Sequence, residues 1–456
     1  MSPEEFKKWG HQIIDWLADY QSHPERYPVL SKSAPGAVYD ALPPRGPAEG
    51  EPFDAILADF ENIIVPGITH WNHPGFMAYF ANTASQPGIL GELLAAGLNP
   101  TGILWKTSPA LAELEVLTLG WLRDWTGLPA SWFGMIHDTA STGIMHCVAA
   151  ARMAAAPEGR ETGEWPRLTM YASEHAHSCS DKASIVLGIG HRNLRKIASD
   201  GEFRMRPEAL EAAIQADLAA GMTPFCVVAT VGTTSIASID PVPAIADITE
   251  KYGLWLHVDA AYAGSAAVSP KRQYIFEGCD RAQSLIINPH KWFFTPVDLS
   301  VLYTSRPEIL RQAFALVPPV YLRTVDDPRT VNLSEYAIPL GRRFRALKLW
   351  FIMRSYGRDK IAAMIEEQIS WAQELSAQIA AHPDFELCAP THFSLVAFRK
   401  NVTDEENLAI MERINAAGEI FLSNTSLHGR IVLRLAIGNM ATTRQHVQRA
   451  WELLQQ

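Results

Sequence analysis

Cysteine is scarce. The chain has five in 456 residues, Cys147, Cys179, Cys226, Cys279 and Cys388, scattered and with no C-x-x-C pair. That usage supplies neither a disulfide framework nor a paired zinc motif, and it suits reduced thiols in a cytoplasmic protein. Long hydrophobic runs are missing too. The stretch "GILGELLAAGL" is broken by Glu92 and falls far short of the roughly 20 residues that a membrane helix needs. Positive charge is in deficit, 39 Lys and Arg against 49 Asp and Glu for a net charge of -10, which argues against nucleic acid or an anionic membrane as a partner. The opening "MSPEEFKKWG" lacks a basic start followed by an apolar core, so no secretory signal is expected in it. No internal repeat or low-complexity tract is visible. What remains is an ordinary globular composition, 48% hydrophobic and 19% charged, in a chain long enough for two or three domains.

The patterning suggests three segments. Residues 1–84 begin with a helix signature, Ser2 as cap, Pro3 at the first turn and Glu5 completing a capping box. Phe6, Ile13, Leu17 and Tyr20 then recur near helical spacing, with Ile14 and Trp16 widening the face. The Pro/Gly-rich "SAPGAVYDALPPRGPAEGEPF" follows as an extended connector. Such an arm needs another surface for its apolar stripe, and a second subunit is a natural one. Over residues 85–346, short apolar runs ("LTMYAS", "FCVVATVG", "LWLHVDAAYAG", "SLIINPHKW") alternate with helical stretches. That alternation predicts an α/β fold with a mostly parallel sheet and helices packed over it. Residues 347–456 read as a long amphipathic helix followed by "FELCA", "FSLVAFRK" and "RIVLRLAIG", a small α+β domain.

In parallel sheets, ligands bind outside the carboxyl ends of the strands. The unusual polar residues fall there: His175 and His177 after one run, Thr233 and Thr234 after another, Asp259 after a third, and Asn288 to Lys291 after a fourth. A surface lysine following a strand would account for "INPHKWFF" taken alone. The sharper reading is a lysine that condenses with the aldehyde of a cofactor. Asp259 in "HVDAAYAG" reads either as a helix cap or as the partner of a pyridinium nitrogen, which it would keep protonated. "HDTASTG", His137 to Gly143, places hydroxyls at a helix start, a plain N-cap or a phosphate cradle. In "EHAHSCSDKA", His175, His177 and Cys179 have no second ligand cluster, so a metal site is not expected, and a histidine stacked on a cofactor ring fits better. "GIGHRN" lacks the third glycine of a dinucleotide loop.

These stretches, in this order, resemble the pyridoxal-phosphate-dependent group II decarboxylases, and among them the aromatic-L-amino-acid (DOPA, tyrosine and tryptophan) decarboxylases. The likeness covers nearly the whole chain: "PGITHWNHPGFMAYF", "SPALAELE", "DTAST", "AHSCSDKA", "ATVGTTSIASID", "LHVDAAYAG", "NPHKW" and "IPLGRRFRALKLWF". It implies a fold-type-I architecture, with a large cofactor-binding domain between an N-terminal helical arm and a small C-terminal domain. It implies pyridoxal 5'-phosphate as cofactor, carried on Lys291, with Asp259 at the ring nitrogen, His177 stacked on the ring and Ala261 against its other face. Thr139, Ala140, Ser141 and Asn288 would hold the phosphate, Thr234 would lie near the ring and the substrate carboxylate, and His290 would contact phosphate or substrate. "PPVYLRTVDDPRTVN" would be a loop that closes over the site and brings in Tyr321. Trp71, Tyr79, Phe80, Ile103 and Gly341 match positions lining the substrate pocket. The chain departs from many animal relatives at Ala81-Asn82 and at Ile103, Leu104 and Lys106, so the choice among DOPA, tyrosine, tryptophan, 5-hydroxytryptophan and phenylalanine stays open. The same resemblance implies a homodimer with a composite site. An aldehyde synthase on the same scaffold, or a relative acting on another amino acid, is the alternative.

Overall fold

The structure, a computed structural model, describes residues 1–316, 327 and 329–456. Where the sequence suggested three segments, contacts gather the chain into two compact units. One comprises 1–81, 374–388 and 397–456; the other comprises 82–373 and 389–396. The arm and the C-terminal region form one unit because they share a core. Val29, Phe76, Ala78 and Ala81 are buried together, with Leu30 and Phe421 packed against them.

In that first unit, the Pro3–Ser22 helix starts as its sequence predicts. Ser2 Oγ accepts the Glu5 N–H at 3.1 Å, and the Glu5 carboxylate accepts the Ser2 N–H at 2.7 Å. Trp9 packs on Phe53 and Trp16 on Phe60, with ring centroids 5.3 and 5.1 Å apart. Even so, no residue of the helix is buried, and Phe6 is 71% exposed.

The second unit is built on seven strands: β1 Phe133–His137, β2 Leu168–Ser173, β3 Leu194–Ile197, β4 Thr223–Thr230, β5 Trp255–Asp259, β6 Ser284–Ile287 and β7 Ser300–Thr304. Their order is β1-β7-β6-β5-β4-β2-β3. Pairing is parallel from β6 through β5, β4 and β2 to β3, and only β7 runs against its two neighbours. β2, β5, β6 and β7 are buried along their whole length, as continuous apolar runs between helical layers require. The Ala140–Ala155 helix contributes Ile144, Cys147, Val148, Ala150 and Ala151 to the core that these strands share. Its approach is close: a Cβ on Gly143 would lie 2.3 Å from Ile286 Cδ1, so a side chain there would force the buried Ile286 to shift. The Arg345–Ala381 segment is helical except at Gly357, whose φ of 70° interrupts it.

A smaller sheet, β8 Phe385–Leu387, β9 Leu395–Lys400, β10 Ser423–Leu427 and β11 Arg430–Ala436, has the order β10-β11-β9-β8, with antiparallel pairing of β8 to β9 and of β10 to β11. Among the described residues no helix is long and apolar enough to cross a membrane.

Candidate active site

The parallel strands end on one polar rim. β5 ends at Asp259, which lies in register with Thr230, the last residue of β4. The Asp259 side chain turns back to accept the Ala261 N–H at 3.0 Å and is almost wholly buried. β6 ends at Ile287, and the next residues are fixed by main-chain bonds. Asn288 N–H donates to Ala261 O at 3.0 Å, His290 N–H to Leu299 O at 3.3 Å, and Lys291 N–H to Asn288 O at 2.9 Å. Lys291 therefore stands on a short turn tied both to the segment after β5 and to the start of β7.

Electrostatics show that Asp259, Lys291, His177 and Cys179 are close neighbours. Burial lowers the pKa of Lys291, while the Asp259 carboxylate opposes the fall. A lysine depressed in this way is more often the free amine, which is the nucleophilic form. Burial also lowers His177, Asp259 raises it and Lys291 lowers it. The buried thiol of Cys179 is pushed up by burial and by Asp259, so it stays protonated.

Main-chain donors fix the tautomers of two histidines. The Cys179 N–H donates to His177 Nδ1 at 3.1 Å, and the Leu299 N–H donates to His290 Nδ1 at 3.1 Å. A neutral imidazole that accepts at Nδ1 carries its proton on Nε2. His290 is held neutral, because burial and then Lys291 push its pKa down to about 4. It thus presents Nε2–H as a donor at neutral pH.

Thr139 caps the Ala140–Ala155 helix from an extended conformation. Thr139 Oγ1 accepts the Thr142 N–H, and the first N–H groups of the turn, which have no carbonyl within the helix to accept them, are donors of the kind that can hold an anion. The Asn288 Oδ1 is buried without a hydrogen-bond partner, so it is free to accept from a ligand's donor. These features fit a phosphorylated pyridine aldehyde: an amine for its carbonyl, a buried carboxylate for a protonated ring nitrogen, and a helix N-terminus for its phosphate. Ala261, buried beside Asp259, and Thr234, partly exposed in the turn after β4, complete the rim.

Of the residues proposed for the substrate pocket, Ile103 and Gly341 lie in this unit. A Cβ on Gly341 would meet only the Thr101 methyl, at 3.5 Å, so there is open space beside it. Trp71, Tyr79 and Phe80 belong to the other unit. There Trp71 stacks on Phe76 at 4.2 Å, Tyr79 packs on Phe421 at 5.9 Å and Phe80 lies under the Arg434 guanidinium at 5.6 Å. Tyr321 lies outside the described residues. Among the described residues no cluster of His, Cys, Asp and Glu is placed to hold a metal ion.

Several polar residues behind the rim went unread in the sequence. Lys348, 1% exposed, has its Nζ 3.0 Å from Glu92 Oε2 and adds to the positive field at His290. Arg342 pairs with Glu115 at 2.5 Å in the interior and donates to Ile136 O at 2.9 Å, while its own carbonyl accepts the Gly102 N–H. A charged side chain inside an apolar helical run, as in "RALKLWF", was the available signal for Lys348.

Comparison with known proteins agrees with this geometry. Residues 35–401 match the pyridoxal-dependent decarboxylase conserved domain, and the chain belongs to that family. Over its whole length it is 37% identical to a phenylacetaldehyde synthase from a Rosa hybrid cultivar and 38% identical to a tryptophan decarboxylase of Camptotheca acuminata, covering 94% and 95% of those proteins. The crystal structure of Oryza sativa TDC with PLP and tryptamine superposes with a TM-score of 0.96 at 35% identity, covering all of this chain and 98% of that one.

Proposed function

We propose that this protein decarboxylates aromatic L-amino acids to the corresponding amines, as a cytoplasmic homodimer with pyridoxal phosphate as its cofactor. The observation that carries the reading is the meeting of Lys291, Asp259 and His177 at the carboxyl ends of parallel strands, in a chain of this family that resembles tryptophan decarboxylases over its full length. When bound, the cofactor supplies an electron sink for the pair left behind as carbon dioxide departs.

The chain's own residues have separable tasks. Lys291, whose amine burial favours in its free form, would hold the cofactor aldehyde. Asp259 keeps the ring nitrogen protonated, and its burial makes that charge interaction strong. His177 and Ala261 would hold the ring between them. Thr139, Ala140, Ser141 and Asn288 hold the phosphate. Thr234 and the His290 Nε2–H orient the substrate carboxylate or the phosphate. Tyr321 supplies a proton to Cα after carbon dioxide leaves. The exposed apolar face of the Pro3–Ser22 helix and the exposed Leu90, Leu93, Leu94 and Leu98 are surfaces that a second subunit would cover. Ile103 and Gly341 would line the ring pocket.

A panel of tryptophan, 5-hydroxytryptophan, tyrosine, DOPA and phenylalanine, with carbon dioxide and amine measured together, tests this reading. Equal yields of the two from at least one of these substrates are expected. Turnover of only a small acidic amino acid would assign the chain another substrate class. A second reading, an aldehyde synthase, is favoured by the similarity to a phenylacetaldehyde synthase, and peroxide measured in the same panel separates it.

A further inference from the structure

His146 has no place in the roles above, yet it is fully buried in the helix whose first turn is proposed to hold the phosphate. Its Nδ1 donates to the Thr142 carbonyl at 2.7 Å, in the first turn of the Ala140–Ala155 helix. Its Nε2 accepts the Ile338 N–H at 3.1 Å. One side of its ring lies 4.6 Å from His137, the last residue of β1 and two before Thr139. It is also 4.6 Å from Phe314, the last residue of the Pro307–Phe314 helix. A single ring thus joins the cradle turn to residues on both sides of the 317–328 segment, and Ile338 is three residues before Gly341.

Both hydrogen bonds require a neutral ring with its proton on Nδ1. The surroundings secure that state: burial, the largest cause, and Arg342 disfavour a second proton, and they outweigh the Thr142 carbonyl and Asp138, which favour one. A side chain of this kind restrains position without reacting.

We propose that His146 is a positioning residue for cofactor binding, one that sets the phosphate-holding turn by tying Thr142 to Ile338. The inference rests on the placement of the phosphate at this helix start. Its effect should therefore depend on the phosphate group, which a loss of general stability would not.

The test compares pyridoxal phosphate with pyridoxal, which lacks the phosphate, in equilibrium binding to the full-length protein and to His146→Phe, His146→Gln and Thr139→Val. Thermal midpoints are recorded alongside. His146→Phe keeps the ring contacts and loses both hydrogen bonds. It is expected to bind pyridoxal phosphate about tenfold more weakly with pyridoxal affinity unchanged, and His146→Gln, which keeps a donor and an acceptor, to recover most of the loss. Equal weakening for both ligands, or no weakening in either His146 variant, overturns the proposal. If Thr139→Val shifts the ratio of the two affinities and the His146 variants do not, the cradle stands and this inference alone falls. If Thr139→Val leaves the ratio unchanged, the cradle assignment falls and the inference with it.

Discussion

Asp259 and Lys291 sit at the ends of adjacent parallel strands, and the carboxylate of one partly offsets the fall in pKa that burial imposes on the other. Removing that carboxylate has two expected consequences. Asp259→Asn should lower kcat by at least about 100-fold, since a neutral amide does not hold a proton on the ring nitrogen. It should also lower the Lys291 pKa further, so that amine-specific labelling of Lys291 in cofactor-free protein reaches its plateau at lower pH. An unchanged labelling profile would show that the two side chains do not interact as described.

The pH dependence of folding should carry the mark of buried imidazoles. Burial holds His257 and His290 at about 4, against roughly 6.5 in an unfolded chain. Between those values the unfolded chain binds protons that the folded chain does not. The contribution of the two histidines is therefore complete above about pH 6.5 and is lost as pH falls towards 4. Asp240 acts in the opposite sense. Its pKa is raised to about 6 by burial, so its contribution is greatest at low pH and declines as pH rises towards 6. Two histidines outweigh one aspartate, and urea midpoints should fall between pH 7 and pH 5. His257→Gln should flatten that slope.

The Arg342–Glu115 pair is almost wholly out of water, with side chains 5% and 1% exposed. Arg342→Leu should destabilise the protein by about 3 kcal/mol, because it leaves Glu115 buried without its partner. Replacing both with leucine should cost less than the sum of the single changes, and chemical denaturation of the four proteins measures the coupling. Additive losses would show that the two charges are solvated independently.

Tyr321→Phe addresses proton delivery. If Tyr321 protonates Cα, the variant should still release carbon dioxide but make less amine. In air, one oxygen and one water consumed per turnover would give aldehyde, ammonia and peroxide instead. Amine formed at the wild-type rate would remove Tyr321 from that role.

The strand mouths were legible in the sequence because each is a short apolar run that ends in an unexpected polar residue: Asp259 after "LHV", Asn288 to Lys291 after "LII". The helix start at Thr139 was legible because hydroxyls and small residues cluster there. His146, Lys348 and Arg342 were not, for a shared physical reason. Each sits inside a helical or irregular segment and is satisfied by a group far away in the chain: Ile338, 192 residues on, Glu92, or Glu115, 227 residues back. Local periodicity carries no information about such partners. The pairing of the N-terminal arm with the C-terminal region in one unit was hidden likewise, because their shared core joins Val29 and Phe76 to Phe421.

Three main-chain bonds fix the turn that carries Lys291, from Asn288 N–H to Ala261 O, from His290 N–H to Leu299 O and from Lys291 N–H to Asn288 O, and the His290 side chain adds a fourth by accepting the Leu299 N–H. Point mutation rewrites side chains and leaves peptide groups in place. Substitutions at the positions proposed for the substrate pocket, such as Gly341 and Ile103, would leave those main-chain bonds in place. A scaffold wired in this way can drift from one amino acid to another in small steps, each of which still folds and still holds its nucleophile.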